Sequence, residues 1–228
     1  VGITRPCVKH NFMITDVKDM ASTIKKAFYV ATTGRPGPVV VDIPKDITED
    51  KCEFSYPDSV EMRSYNPIIE ISDDSIKQAA EKILSCDKPV IYAGGGVINS
   101  NASEELTKFA KYLNFPVTNT LMGLGCFPGD DPQFIQMLGM HGSYEANMAM
   151  HDCDLLLCIG ARFDDRITGR TDAFSPNSFK VHVDIDPSSI NKNIQVDVPL
   201  VSDIESALKA IIKKWEKSGK ETQNAAVK

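Results

Sequence analysis

Asp154-Leu155-Leu156-Leu157-Cys158-Ile159-Gly160-Ala161-Arg162-Phe163-Asp164-Asp165-Arg166-Ile167-Thr168-Gly169 joins an apolar run to a charged turn through a glycine. Residues 154–159 form a short run that is apolar at every position after Asp154, as a strand buried on both faces requires. Other segments share this form. Pro89-Val90-Ile91-Tyr92-Ala93 runs into Gly94-Gly95-Gly96, Pro116-Val117-Thr118 ends at Asn119-Thr120, and Lys180-Val181-His182-Val183-Asp184-Ile185 precedes Asp186-Pro187. A further strand is expected near Val196–Val201. Amphipathic stretches lie between these runs. Residues 73–86 place Ile76, Ala79, Ala80, Ile83 and Leu84 on one face, with Asp73 and Asp74 at the positive N-terminal end. Residues 103–114 use Leu106, Phe109, Ala110 and Leu113, and a helix is expected near 143–151. Residues 203–217 set Ile204, Ala207, Leu208, Ile211, Ile212 and Trp215 at helical spacing. Short apolar strands alternating with such helices predict an α/β fold: a Rossmann-like parallel sheet with helices on both faces.

The N-terminal part reads differently. Val17, Met20, Ala21, Ile24, Phe28 and Ala31 mark one face of a helix over 16–33, with Asp16 as its cap and Gly34 as its stop. Arg35-Pro36-Gly37-Pro38 is a rigid turn, and Val39-Val40-Val41-Asp42-Ile43 reads as a buried strand ended by Pro44. Residues 1–46 are thus expected to be a truncated α/β segment whose earlier strands are absent. Residues 47–72 are polar, contain Pro57 and Pro67, and lack a sustained period, which predicts a linker. The main domain is expected over 73–217 and a disordered polar tail over 218–228. Val1-Gly2-Ile3-Thr4-Arg5 offers neither an initiator Met nor a signal-peptide pattern and reads as a cut inside a longer chain.

Composition excludes some classes of partner. The 25 basic and 31 acidic residues give a net charge of −6, which argues against nucleic acid. No apolar run approaches the roughly 18 residues of a membrane span. Six cysteines without C-x-x-C spacing suit a reduced, cytosolic setting better than a disulfide framework.

In parallel sheets ligands bind beyond the carboxyl ends of the strands, so the residues just after each strand carry the information. Gly94-Gly95-Gly96 would let backbone N–H groups approach a phosphate, although the run is not G-x-G-x-x-G and a plain tight turn explains it as well. Arg162 and Arg166 suit a pyrophosphate, with Asp164 and Asp165 balancing them or accepting from ribitol hydroxyls; a solvated loop with local ion pairs is the alternative. Asp184 suits a ribose hydroxyl or an adenine amine, and equally a turn before Pro187. His182 alternates with valines and suits simple packing. Leu138-Gly139-Met140-His141-Gly142 and Leu121–Cys126 are glycine-bearing loops that allow close approach to a flat ring, or merely cap. No G-x-S-x-G, H-E-x-x-H, P-loop or metal-like Cys/His cluster occurs, so neither catalytic nor metal-binding residues are expected.

Thr33-Gly34-Arg35-Pro36-Gly37-Pro38 through Asp46, preceded by Arg5–Asn11, resembles the end of the pyrimidine-binding domain of thiamine-diphosphate enzymes. Asn119–Gly125, Leu138–Gly142 and above all Gly160–Gly169 resemble the acetolactate synthase large subunit family, a likeness that runs from the first residue to about 215. It implies a middle domain holding extended FAD through Arg35, Gly94, Gly95, Gly96, Thr120, Leu121, Met122, Leu138, Gly139, Met140, His141 and Gly142. Gly160, Ala161, Arg162, Asp164, Arg166 and Ile167 follow, with Asp184, Ile185 and Asp203 toward the adenine. Lys45, Met140 and Arg166 match the substrate channel. The resemblance implies a cytoplasmic carboligase of branched-chain amino-acid biosynthesis, acting on pyruvate and 2-ketobutyrate with thiamine diphosphate and Mg2+, in which the flavin does no net redox work. Large subunits would form a homodimer or tetramer with a regulatory small subunit. The catalytic glutamate and the Mg2+ motif of that family match nothing between Val1 and Lys228, so the segment is expected to be inactive alone. Two alternatives are another thiamine-diphosphate enzyme, such as glyoxylate carboligase or an oxidase, and a non-catalytic nucleotide-binding domain.

Overall fold

A computed structural model describes residues 1–67 and 70–217. The tail expected over 218–228 lies outside the described residues. The chain divides into two compact units, with the boundary between residue 69 and Glu70.

In the N-terminal unit, strand β1 (His10–Met13), helix α1 (Met20–Thr32) and strand β2 (Val39–Asp42) form a parallel β-α-β arrangement, with His10 opposite Val39 and Met13 opposite Asp42. The expectation that residues 39–43 lack a neighbouring strand is therefore corrected. His10-Asn11-Phe12-Met13 lacks the β-branched run that marks β2, and so escaped notice. Val39, Val40 and Val41 are also only half-buried, because a two-stranded sheet cannot cover both faces. Asp16 caps a 3₁₀ turn at Val17–Asp19, and α1 begins after it. Lys9 Nζ donates to the carbonyls of Val30 and Thr33, each at 2.6 Å, which satisfies the end of α1. It also donates to Tyr65 Oη at 2.9 Å. The stretch expected as a linker instead belongs largely to this unit. Helix α2 (Lys45–Glu49) buries Ile47, Lys25 Nζ donates to the carbonyls of Pro57 and Asp58, and Tyr65 Oη donates to Thr33 O. Side-chain ties to backbone carbonyls hold a segment that has no apolar period of its own.

The second unit contains α3 (Asp73–Ile83), β3 (Pro89–Ala93), α4 (Gly95–Asn99), α5 (Ser103–Leu113), β4 (Val117–Asn119), β5 (Phe134–Met137), α6 (Tyr144–Asp152), β6 (Leu155–Ile159), α7 (Asp165–Thr168), β7 (Phe179–Asp184), β8 (Val198–Val201) and α8 (Ile204–Glu216). The six strands form one parallel sheet in the order β5-β4-β3-β6-β7-β8. Every residue of β3 and β6 is buried, as their unbroken apolar runs require.

Alternation sends successive side chains to opposite faces. Ile91, Ala93, Leu155, Leu157, Ile159, Val181 and Val183 pack on one face with Ile76, Leu106, Phe109 and Leu208 from α3, α5 and α8. Val90, Tyr92, Leu156 and Cys158 pack on the other with Ala146 and Met150 of α6 and with Phe163 and Phe174. Each large side chain buried in this way contributes about 1.5–3 kcal/mol. Four of the six cysteines, Cys86, Cys126, Cys153 and Cys158, are buried, whereas Cys7 and Cys52 are exposed. Strand β5 was not foreseen. Its four residues, Phe134-Ile135-Gln136-Met137, are too few to carry a period-two signal, and its register shifts against β4 where Gln136 adopts φ +67°. Among the described residues, no helix is long and apolar enough to cross a membrane.

Candidate functional site

Because all six strands are parallel, their carboxyl ends share one edge. The chain builds outward from β3 through β4 to β5, then returns to β6 and builds the other way through β7 to β8. The edge between β3 and β6 is the switch point at which open α/β sheets bind ligands. Gly94 and Gly160 stand directly there.

These glycines form a tight seam. A Cβ on Gly94 would lie 2.3 Å from Gly160 O and 2.6 Å from Ala161 Cα, and one on Gly96 would lie 2.7 Å from Gly160 Cα. Gly160 itself adopts φ +61°. Gly94 N donates to Ile159 O, Gly96 N to Gly160 O and Gly160 N to Val183 O. The expectation that these glycines turn N–H donors toward a phosphate is thus corrected for Gly94 and Gly96, whose donors are engaged within the sheet edge. Their contribution is a seam without side chains over which a ligand can lie.

On the β4–β5 side, Thr120 caps a 3₁₀ turn at Leu121–Gly123 by accepting from Gly123 N at 2.9 Å. Leu121 and Met122 within this turn are exposed, and Met122 reaches the seam beside Gly95. The next loop turns at Gly139, with φ +100°, and Met140 N donates to Arg166 O at 3.3 Å, which joins the 138–142 loop to the charged segment. Met140 and His141 project outward, while Leu138 is buried. Asn147 holds this loop: its Oδ1 accepts from Gly139 N at 3.0 Å and its Nδ2 donates to Gly139 O at 3.1 Å. The sequence reading passed over Asn147, although an asparagine inside a helix is a poor helix former and often signals a side-chain bond to backbone.

On the β6–β7 side, Ala161 is buried and Arg162 is exposed, 3.8 Å from Asp164. Asp164 caps the single turn of α7. A side-chain hydrogen bond with Asp165, followed by the Arg166 N–H, holds its carboxyl below the ordinary value. Arg166 lies 3.9 Å from Asp165. Asp184 ends β7 and accepts from Asp186 N, Ile185 follows it, and Asp203 caps α8 through Ser206 N.

The edge thus gathers the segments 94–96, 120–122, 138–142, 160–167, 184–185 and residue 203. Leu138 and Ala161 turn their side chains into the core, so they offer a ligand only their backbones. Arg35 and Lys45 belong to the N-terminal unit, where both are exposed and Lys45 pairs with Glu49 at 3.6 Å. Among the described residues, no group of three or more His, Cys, Asp or Glu is placed to hold a metal ion.

His182 is fully buried beneath this edge, and burial lowers its pKa despite Asp184 Oδ2 at 3.8 Å from Nε2. In the unfolded chain the imidazole titrates near 6.5. Below that pH the unfolded state binds more protons than the folded state, so stability falls as the pH falls toward the folded value. Urea unfolding is expected to show a loss of up to about 1.4 kcal/mol per pH unit below about pH 6.5, reduced in His182→Gln. An identical pH slope in the two chains would refute this assignment.

Residues 76–211 match the family model for the thiamine pyrophosphate enzyme, central domain, and the chain belongs to that family. Within it, the chain is similar to acetolactate synthase large subunits. It is 49% identical over 225 residues to that of Haemophilus influenzae, a match covering 98% of this chain and 39% of the relative. It is 46% identical over 214 residues to the isozyme 3 large subunit of Escherichia coli, covering 93% of this chain and 37% of the relative. With the probable acetolactate synthase large subunit of Methanocaldococcus jannaschii it shares 44% identity over 215 residues, covering 93% and 36%. The chain therefore spans less than two fifths of the length of these curated relatives.

Proposed function

We propose that the unit beginning at Glu70 binds FAD in an extended form along the carboxyl edge of its sheet, as part of an acetolactate synthase large subunit. One observation carries this reading: a seam free of side chains at the switch point, flanked by exposed Leu121 and Met122 beside Gly95 and by exposed Met140, Arg162 and Arg166 on the joined 138–142 and 160–167 segments. The residues suit the parts of this cofactor. Leu121, Met122 and Met140 offer apolar contact to a ring, with Gly139, His141 and Gly142 beside them. Arg162 and Arg166 offer bidentate donors to a pyrophosphate. Asp184, Ile185 and Asp203 suit the adenosine end.

The whole protein, on this reading, decarboxylates pyruvate and joins the product to a second 2-keto acid, pyruvate or 2-ketobutyrate, in branched-chain amino-acid biosynthesis. Thiamine diphosphate, held with Mg2+ outside this chain, supplies the electron sink for decarboxylation. Met140 and Arg166 line the approach of the keto acid. Large subunits assemble as a homodimer or tetramer with a regulatory small subunit in the cytoplasm.

Titration of the 228-residue chain with FAD, followed by desalting, tests the cofactor assignment. About one equivalent of flavin should stay with the protein and show its visible bands, and a colourless protein would defeat the reading. Product analysis of the whole enzyme with pyruvate against glyoxylate tests the substrate class, and a preference for glyoxylate would point to the related carboligase.

A further inference from the structure

Two buried side chains from neighbouring strands meet on one backbone acceptor. The register places Cys158 of β6 opposite His182 of β7, and both are fully buried. His182 Nε2 lies 2.8 Å from Ala161 O, and Cys158 Sγ donates to the same carbonyl at 3.1 Å. Ala161 immediately precedes Arg162, at the base of the charged segment. Phe163 packs edge-on against the imidazole, with ring centroids 5.2 Å apart. A carbonyl acceptor at Nε2 requires the proton to sit there, which leaves Nδ1 as a bare lone pair. Nδ1 is buried and makes no hydrogen bond among the described residues. An apolar side chain would fill the same space without that desolvation cost, so the imidazole has a reason to be there other than packing.

We propose that His182 is a positioning residue, whose Nε2–H, assisted by the Cys158 thiol, holds the Ala161 carbonyl and fixes the direction in which Arg162, Asp164 and Arg166 leave the sheet edge. The consequence for ligand binding rests on the flavin reading above; the hold on the carbonyl does not. Small errors of direction at the base of the segment grow along two long arginine side chains, and bidentate recognition of a pyrophosphate tolerates little misalignment.

The test compares His182→Leu, which removes the donor, with His182→Gln, whose side-chain amide nitrogen reaches about as far as Nε2. FAD alone is the probe, and the readouts are its dissociation constant and the visible circular dichroism of the bound flavin. The leucine variant should bind FAD about tenfold or more weakly with an altered dichroism spectrum, and the glutamine variant should stay within about threefold of the unchanged chain and keep its spectrum. Wild-type affinity in His182→Leu, or equal losses in both variants, overturns the proposal. Should His182→Leu fail to fold, nitrogen-15 NMR of the unchanged chain decides instead: a ring protonated at Nε2 supports the hold, and one protonated at Nδ1 overturns it. If the unchanged chain retains no FAD, the flavin reading fails by itself, and the same tautomer measurement still decides the role of His182.

Discussion

Gly94→Ala should lower the unfolding free energy of the chain by about 3 kcal/mol, at the upper end of what overpacking by a single methyl group costs. The reason lies in what the new methyl would meet. Its nearest neighbours are Gly160 O at 2.3 Å and Ala161 Cα at 2.6 Å, both backbone atoms that no rotamer change can move aside. Relief requires β3 and β6 to part, which would stretch the Gly94 N to Ile159 O and Gly96 N to Gly160 O hydrogen bonds. Gly129→Ala is the control, because nothing lies within 4 Å of its added Cβ, and its effect should stay within about 0.5 kcal/mol. Urea denaturation of both variants gives the comparison. Equal stabilities would show that the seam yields easily and is not the close contact described here.

The second large effect concerns binding rather than folding. Replacing Arg162 and Arg166 together by alanine should weaken FAD binding about 100-fold, as expected for two charge-assisted contacts at roughly 1.5 kcal/mol each. The melting temperature should hardly change. Both guanidinium groups are exposed, and their ion pairs with Asp164 and Asp165, at 3.8 and 3.9 Å, are surface pairs of little worth. Raising the salt concentration should weaken binding by the unchanged chain more than by the double variant, since only the former brings both cations to the ligand. Unaltered affinity in the double variant would remove the pyrophosphate from this part of the edge.

How much of this was legible in the sequence depended on the kind of signal. Pro89–Ala93 and Leu155–Ile159 were plain because a central parallel strand is apolar on both faces, and nothing else of that length with a glycine after it reads the same way. The order in which the strands pair is a matter of long-range contact, which no local pattern reports. The seam illustrates the difference. Gly94-Gly95-Gly96 announced a place without side chains, but the sequence could not show that the space at Gly94 and Gly96 is filled by Gly160 and Ala161, more than sixty residues on, or that the N–H groups of those two glycines are engaged there. Strand β5 was hidden for a local reason. Four residues, Phe134-Ile135-Gln136-Met137, are too few to show alternation, and the register shift beside Gln136, at φ +67°, leaves no mark on residue type. Asp184 and Thr120 read as ligand contacts, and each closes a turn, so a residue type that suits a ligand is not distinguished in sequence from one that caps.

The distribution of thiols has a practical consequence. Burial pushes the Cys126 thiol up to about 11 and also raises Cys153 and Cys158, so in the folded chain these sulfurs are both hidden and almost wholly un-ionised. Cys86 is buried as well, which leaves Cys7 and Cys52 open to an alkylating reagent. Mass spectrometry after brief alkylation therefore reports the integrity of the second unit directly, because both accessible sulfurs belong to the first, and any label on Cys158 marks molecules in which the central strands have opened.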